Sequence, residues 1–157
     1  MNSRILVMDA MTVRPVVAAP STSICDVAAL MDRYDVGSVL VKRGTELLGI
    51  VTEADFVRRV VLEGHSKDAA VSTIMTKDLV TISPGMDVFD ALQLMKDADV
   101  KHLPVIDNNK LVGFVTLKDL LKIQPALFED VVDTLRLREE SRKIRGRSVE
   151  REEDSDS

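Results

Sequence analysis

The sequence contains two copies of one pattern, and the two copies align without a gap. Residues 11–58 align with residues 75–122 at a constant shift of 64 positions, and 15 of the 48 aligned positions are identical. An internal repeat must be interpreted before other features because it determines the architecture. Two copies are too few for a solenoid. We therefore expect two similar halves that face each other around a pseudo-twofold axis, with matching clefts between them.

The composition indicates a soluble globular chain of about one domain. The chain has 157 residues, of which 45% are hydrophobic and 30% are charged, and aromatic residues make up only 3%. Each repeat alone is marginal for an independent core, so the halves should bury their apolar faces against each other. With so few aromatic residues, that core must be aliphatic.

Several classes of protein are disfavoured by what the sequence lacks. No apolar run approaches the roughly 20 residues of a membrane span, and the N-terminus lacks the pattern of a signal peptide. Cys25 is the only cysteine, so no intrachain disulfide or thiolate metal site is expected. These features predict a cytoplasmic protein with no membrane partner. The net charge of −5 argues against a surface that binds nucleic acid throughout.

Both repeats predict the order strand, helix, strand, strand, helix. Hydrophobic periodicity, capping residues and turn residues place these elements along the chain. In the first repeat they are an extended segment at 15–19, a helix at 23–34, strands at 38–42 and 47–51, and a helix from Thr52 to Gly64. In the second they are an extended segment at 80–82, a helix capped by Asp87, strands at 103–106 and 111–115, and a helix from Thr116 to Pro125.

The resulting prediction is an α/β (α+β) fold of two pseudo-twofold-related repeats, followed by a helix and a charged tail. The predicted bounds are 5–64 and 65–124 for the repeats, 125–145 for the C-terminal helix and 146–157 for a disordered charged tail. The tail is predicted to be disordered because it has no apolar face to bury.

The candidate site is the segment Gly49-Ile50-Val51-Thr52-x-x-Asp55 and its twin Gly113-Phe114-Val115-Thr116-x-x-Asp119. The free N–H groups at a helix start suit a phosphate, and a carboxylate can accept both hydroxyls of a ribose. The apolar residues before each Thr can line a slot for a planar base. Thr-x-x-Asp is also an ordinary capping box that needs no ligand, and this alternative stays open for each copy taken alone.

The element order, the Met-Thr openings at Met11 and Met75 and the two Gly-apolar-apolar-Thr-x-x-Asp segments together resemble the cystathionine β-synthase (CBS) domain. Two copies in tandem resemble a Bateman module, and the resemblance covers about residues 5–124. It implies binding of adenosine-containing ligands in clefts between the repeats, namely AMP, ADP, ATP or S-adenosylmethionine. No catalytic cofactor is implied.

In that family each cleft is built by both repeats, and the resemblance assigns residues to two clefts here. The first cleft comprises Thr12, Val16, Gly37, Ser38, Val39, Phe114, Thr116, Lys118 and Asp119. The second cleft comprises Ile50, Thr52, Asp55, Thr76, Val80, Lys101, His102 and Leu103. These names are kept below.

The two clefts differ in charge. Lys118 stands beside the Asp of the first cleft where the second has Ala54, but the second cleft receives Lys101 and His102 from the facing strand. Lys118 is a candidate phosphate partner. His102 lacks a Ser, Cys or Asp partner for triad chemistry, so its role is either to bind phosphate or another polar group, or to be structural.

These features predict a regulatory sensor that signals nucleotide binding to an unidentified effector protein, and not an enzyme. An activated nucleophile, a metal site and an acid/base pair are all missing from the sequence. Apolar helix faces at Phe56-Val57-Val60-Val61 and Leu120-Leu121 predict a homodimer, with Phe56, Val60 and Leu120 near the contact. The alternative is a transcription or nucleic-acid-associated regulator that acts through the Arg-rich segment 136–151, with the CBS pair as its sensor. The choice among adenosine ligands is not determined by the sequence.

Overall fold

The computed structural model describes residues 4–127, and the chain divides into two compact units, Met1–Leu117 and Lys118–Ser157. Each unit is described by itself. The helices are α1 (Val7–Ala10), α2 (Ile24–Tyr34), α3 (Glu53–Asp55), α4 (Val88–Ala98) and α5 (Leu117–Ile123). The strands are β1 (Val17–Ala18), β2 (Ser38–Arg43), β3 (Glu46–Thr52), β4 (His102–Asp107) and β5 (Lys110–Thr116). The predicted mixed α/β fold is confirmed.

The first long helix of each repeat begins and ends in the same way. The Ser23 hydroxyl accepts a hydrogen bond from the third backbone N–H of α2, and the Asp87 carboxylate accepts one from the second N–H of α4. Both helices end at an aspartate in the left-handed conformation, Asp35 at φ 51° and Asp99 at φ 56°. Aspartate tolerates this conformation better than most residues because its short polar side chain can bond locally.

The two hairpins have the same register, including the same irregularity. Val41 pairs with Gly49 and Lys42 pairs with Leu47, so one extra residue bulges from β3, and the β4–β5 hairpin shifts at the equivalent position. The turns differ in sequence. Gly44 has φ +61° in the first, while Asn108 and Asn109 both have positive φ in the second, as a two-residue hairpin turn requires.

The extended segment that opens each repeat pairs differently in the two copies. β1 pairs in parallel with β2, and the Leu40 N–H donates to the Val16 carbonyl. The equivalent of Leu40 is Pro104, which has no N–H to donate. The second copy therefore keeps only an isolated bridge between Ile82 and Val105, and no strand forms over 80–82.

The aliphatic residues of the first repeat's hairpin alternate between two cores. Val39 and Val51 lie in a cluster with residues of α2, on one face of the sheet. Leu40 and Ile50 point to the other face and lie in a second cluster with Phe114, which comes from the other repeat. Alternation along a strand sends successive side chains to opposite faces. The two repeats thus bury apolar surface against each other, as expected.

The predicted helix from Thr52 to Gly64 is present but is α-helical only at its start. Beyond Asp55 it continues as a π-helix, Phe56–Leu62, and the Glu63 N–H donates to the Arg58 carbonyl at 3.2 Å. Gly64, with φ +77°, follows its end. Runs of π-helix are rare and are often found at functional sites.

The helix faces proposed for dimer contacts are wrong in detail. Phe56 and Val60 pack against the core of the first repeat, and Leu120 is fully buried. The large apolar side chains that are exposed on this helix are Val57, Val61 and Leu62, of which Val57 and Val61 belong to the predicted face. The π-helical stretch changes which residues share a face, because its hydrogen bonds span five residues and not four.

The second unit is described from Lys118 to Leu127. It contains all but the first residue of α5, followed by a short 3-10 helix, Pro125–Leu127. Helix α5 ends just before Pro125, as predicted. Of the residues predicted to form a helix at 125–145, only 125–127 are described, as this 3-10 helix; the rest of that prediction and the tail predicted at 146–157 fall outside the described residues.

Candidate functional site

The opening segment of each repeat pairs with the last strand of the other repeat. The Thr12 N–H donates to the Phe114 carbonyl at 2.8 Å, and the Phe114 N–H donates back to Thr12 at 2.9 Å. Ile50 and Thr76 exchange the equivalent pair of hydrogen bonds, at 3.0 and 2.8 Å. The structure therefore brings together residues from both repeats that were assigned to the same cleft, once in each cleft.

Gly49 and Gly113 are each in close contact with the Met-Thr opening of the other repeat. A Cβ atom added at Gly49 would lie 2.8 Å from both the Met75 sulfur and the Thr76 carbonyl oxygen. One added at Gly113 would lie 2.5 Å from the Met11 sulfur. No side chain fits at such distances, so the Met-Thr and Gly segments of the repeated pattern form the two sides of one backbone contact.

Asp55 accepts hydrogen bonds from both repeats. Its Oδ2 accepts from the Thr52 N–H at 2.9 Å and from the Thr52 hydroxyl at 3.2 Å, so the carboxylate caps α3. Its Oδ1 accepts a long bond, 3.5 Å, from the hydroxyl of Thr76. The bonds from Thr52 show that the capping interaction exists. The bond from Thr76 goes beyond a cap, because it joins Asp55 to the other repeat.

His102 lies at the start of β4 and faces both Asp55 and an aromatic ring. Burial lowers the pKa of His102 below its usual value, and the negative charge of Asp55 opposes that shift. The imidazole and the Phe114 ring have centroids 5.9 Å apart at an interplanar angle of 30°. The lowered pKa favours a neutral imidazole at neutral pH, which can both donate and accept hydrogen bonds.

The second cleft has five members that the structure connects through hydrogen bonds or charge. They are Ile50, Thr52, Asp55, Thr76 and His102. Of the other three, Val80 and Lys101 are exposed, and the side chain of Leu103 is fully buried. Leu103 can therefore offer only its backbone to a ligand.

The first cleft is described only for the residues that belong to the first unit. Thr12 and Phe114 are joined as above, while Ser38 pairs with Thr52 across the β2–β3 hairpin. Val16 and Thr116 are half-buried, and Val39 is fully buried and can offer only its backbone. Lys118 and Asp119 lie in the second unit, on the first turn of α5. Their membership in this cleft stays a prediction.

The structure adds two residues near the clefts that the sequence did not indicate. Leu79 is half-buried against the cluster of Leu40, Ile50 and Phe114. It aligns with a proline in the first repeat, so the repeat gave no signal for it. The carboxylate of Glu53 lies near Gly37, with its Cδ 3.7 Å from where a Cβ at that glycine would be. Glu53 therefore brings a negative charge to a residue of the first cleft.

Residues 4–127 contain neither a metal-binding group nor a membrane-spanning helix. No group of three or more His, Cys, Asp or Glu residues there could hold a metal ion. No helix in that part of the chain is long and apolar enough to cross a membrane.

Comparisons with known proteins give a consistent result. The CBS domain family matches this chain twice, at residues 7–62 and 71–126. The CBS domain-containing protein YhcV of Bacillus subtilis is 36% identical over 73% of this chain and 81% of its own length. The uncharacterized protein MK0525 of Methanopyrus kandleri is 33% identical over 77% of this chain, which spans 63% of that protein.

Solved structures show the same fold. An uncharacterized conserved protein from Pyrococcus horikoshii has a TM-score of 0.72 and 32% identity, over 78% of this chain and 94% of that one. The CBS domain pair of protein MJ0100, in complex with 5′-methylthioadenosine and S-adenosyl-L-methionine, has a TM-score of 0.68 and covers 76% of this chain and 98% of that one. At 22% identity the latter shows the fold alone. With two matched domains over most of its length, the chain belongs to the CBS domain family as a tandem pair, which is a regulatory ligand-binding module.

Proposed function

We propose that this CBS pair binds an adenosine-containing ligand in the second cleft and signals its presence to a partner protein. The observation that carries the proposal is the convergence on Asp55. Its carboxylate, from the first repeat, meets the Thr76 hydroxyl and the His102 imidazole from the second. A ligand held at Asp55 would contact both repeats and thereby sense or alter how they are arranged.

The chemistry of Asp55 suits a ribose. A carboxylate has about four lone-pair positions, and three are used by Thr52 and Thr76. A vicinal diol needs two, so it would take the unused position and displace the weakest donor, which is the Thr76 hydroxyl at 3.5 Å. Hydrogen bonds to a charged group are stronger than neutral ones, which favours this exchange.

The remaining parts of the ligand have candidate partners in the same cleft. Val80, which is 37% exposed, offers an apolar surface to a planar base. The exposed Lys101 offers a cation to a phosphate, as in AMP, ADP or ATP. S-adenosylmethionine stays in the set of candidates because the similarly folded pair of protein MJ0100 holds ligands of that class. The first cleft remains a prediction from the sequence.

Calorimetry with AMP, ADP, ATP and S-adenosylmethionine tests the proposal. Asp55→Asn keeps an acceptor for the Thr52 N–H but loses the charge, and we expect at least tenfold weaker binding in the second cleft. The matched variant Asp119→Asn reports on the first cleft, and Asp32→Asn, on the exposed side of α2, is the control. Ligands with a 2′-deoxyribose should lose as much affinity as Asp55→Asn does. If Asp55→Asn and Asp119→Asn both bind as the unmodified chain does, the two aspartates are helix caps only.

We further propose that the module is a homodimer and acts on an effector protein. The support is the π-helix Phe56–Leu62, on which Val57, Val61 and Leu62 are exposed, Val61 by 74% and Leu62 by 75%. Contiguous apolar side chains rarely stay exposed on a soluble monomer. The cytoplasmic location stays a prediction. The alternative role, through the Arg-rich segment 136–151, depends on residues beyond Leu127, and nothing among the described residues favours it.

A further inference from the structure

Each hairpin contributes residues to both predicted clefts, one strand to each cleft. The β4–β5 hairpin supplies His102 to the second cleft and Phe114 to the first. In β4–β5, His102 lies opposite Thr116, and Phe114 lies two residues before Thr116 on the same face. His102 and Phe114 are therefore diagonal neighbours, close enough for large side chains to touch. The β2–β3 hairpin repeats this arrangement with Ser38 and Ile50.

The two diagonal pairs differ in chemistry. His102 and Phe114 bring two rings to a centroid distance of 5.9 Å, within the 4.5–7 Å range in which ring pairs attract each other. Ser38 and Ile50 combine a small hydroxyl with an aliphatic side chain, which has no comparable dependence on orientation. A change felt at one cleft can therefore pass through the second hairpin more strongly than through the first.

Both ends of the ring pair are fixed to other parts of the first unit. On one side, His102 faces the charge of Asp55, the proposed ribose acceptor. On the other side, two backbone hydrogen bonds tie Phe114 to Thr12, and its ring is buried with Leu40. The buried ring of Phe114 has little room to adjust to a movement of His102, because it packs against Leu40.

We propose that the His102–Phe114 ring pair couples ligand binding in the second cleft to the Thr12–Phe114 contact, where the first repeat opens. The inference rests on the proposed function and deepens it. His102 is assigned to the second cleft, so a ligand bound there on Asp55 shifts the imidazole. The ring pair then changes geometry, and the Thr12–Phe114 hydrogen bonds strengthen or weaken accordingly. Ligand binding in the second cleft thus changes the hydrogen bonds between Thr12 and Phe114, which are both assigned to the first cleft.

The test is residue-resolved amide hydrogen exchange on the full chain, with AMP and, separately, S-adenosylmethionine. All variants carry Asp119→Asn, so that a ligand in the first cleft does not act on Thr12 directly. The amides of Asp55 and Thr76 report occupancy of the second cleft, and the Thr12 amide reports the coupling. We expect a ligand to change the exchange rate of the Thr12 amide at least threefold.

Variants of the ring pair separate coupling from a general change in stability. His102→Ala removes one ring and should reduce the effect to less than about 1.5-fold while the Asp55 and Thr76 amides still respond, since the ring attraction accounts for a roughly two- to tenfold effect. Phe114→Leu keeps an apolar side chain without the ring and should act as His102→Ala does. Asp32→Asn, on the exposed side of α2 and outside both clefts, is the control and should leave the effect intact.

The outcomes are distinct. If Asp55 and Thr76 respond to neither ligand, the proposed function fails, and the inference fails with it. If they respond while Thr12 does not, the function stands and the coupling is overturned. If the Thr12 amide responds equally in the chain that carries Asp119→Asn alone and in the chains that add His102→Ala or Phe114→Leu, the signal passes by another route. The role assigned to the ring pair is then overturned.

Discussion

The close contact at Gly49 predicts a large difference between two alanine substitutions. In Gly49→Ala the new Cβ would lie 2.8 Å from the Thr76 carbonyl oxygen, which is backbone and cannot rotate away. The opening segment of the second repeat must then move, and the two hydrogen bonds between Ile50 and Thr76 lengthen. Gly85 is the control, because nothing lies within 4 Å of a Cβ added there and its φ is not positive.

The magnitudes follow from the structure. Overpacking at a backbone contact costs about 1–3 kcal/mol, and each hydrogen bond weakened adds up to about 1 kcal/mol. Gly→Ala at a compatible site stabilises by about 0.4–1 kcal/mol through the unfolded chain. We therefore expect Gly49→Ala to lower the free energy of unfolding by about 2 kcal/mol, or the melting temperature by roughly 4–8 °C. Gly85→Ala should be neutral or slightly stabilising.

Urea and thermal unfolding, followed by circular dichroism, measure both variants. A second comparison tests which atom is responsible. At Gly113 the added Cβ meets mainly the flexible Met11 side chain, and the Thr12 carbonyl is 3.1 Å away. Met11→Ala should therefore rescue Gly113→Ala more than Met75→Ala rescues Gly49→Ala. Equal stabilities for Gly49→Ala and Gly85→Ala would refute the contact between the repeats on which both clefts depend.

Three further predictions concern other features. Burial lowers the pKa of His102, so the unfolded chain binds a proton at this imidazole more readily than the folded chain does. The free energy of unfolding should therefore fall as pH drops below about 6.5, the usual pKa of histidine. In urea titrations at several pH values, His102→Phe should flatten this fall. Leu40→Pro removes the N–H that donates to Val16 beside β1 and should lower the free energy of unfolding by at least about 1 kcal/mol. In Pro104→Leu, the new amide at position 104 should become protected from hydrogen exchange. Val61→Glu should give monomers by light scattering, because an unpaired carboxylate would be buried in the dimer contact. Val13 is similarly exposed but lies outside this helix, so Val13→Glu should leave the dimer intact. A monomeric mass for the unmodified chain would contradict the proposed dimer.

Much of the secondary structure could be predicted because it depends on residues close together in the chain. Ser23 and Asp87 cap their helices through hydrogen bonds that span two or three residues, and the strands of each hairpin lie within one or two residues of the predicted bounds. The missing strand at 80–82 could not be inferred locally. Pro104 stands where Leu40 donates its N–H, but that consequence appears only when the pairing partner is known.

The candidate site divides in the same way. The repeat gave the motifs and their aspartates. The family resemblance gave the assignment of residues from both repeats to each cleft. The pairing of each opening segment with the last strand of the other repeat is what the resemblance implied. The hydrogen bond of Thr52 with Asp55 could be predicted from the three-residue spacing of Thr and Asp, which is typical of a capping box.

The sequence by itself determined that the chain is a repeated α/β pair, and it predicted two equivalent groups of binding residues. Only the tertiary structure decided that Thr76 reaches Asp55, that His102 lies against Phe114, and that Leu103 turns its side chain away into the interior. The physical reason is distance along the chain. Caps, turns and periodicity are set by neighbours, whereas these contacts depend on how two packed repeats meet, and their geometry follows from the close backbone approach at Gly49 and Gly113.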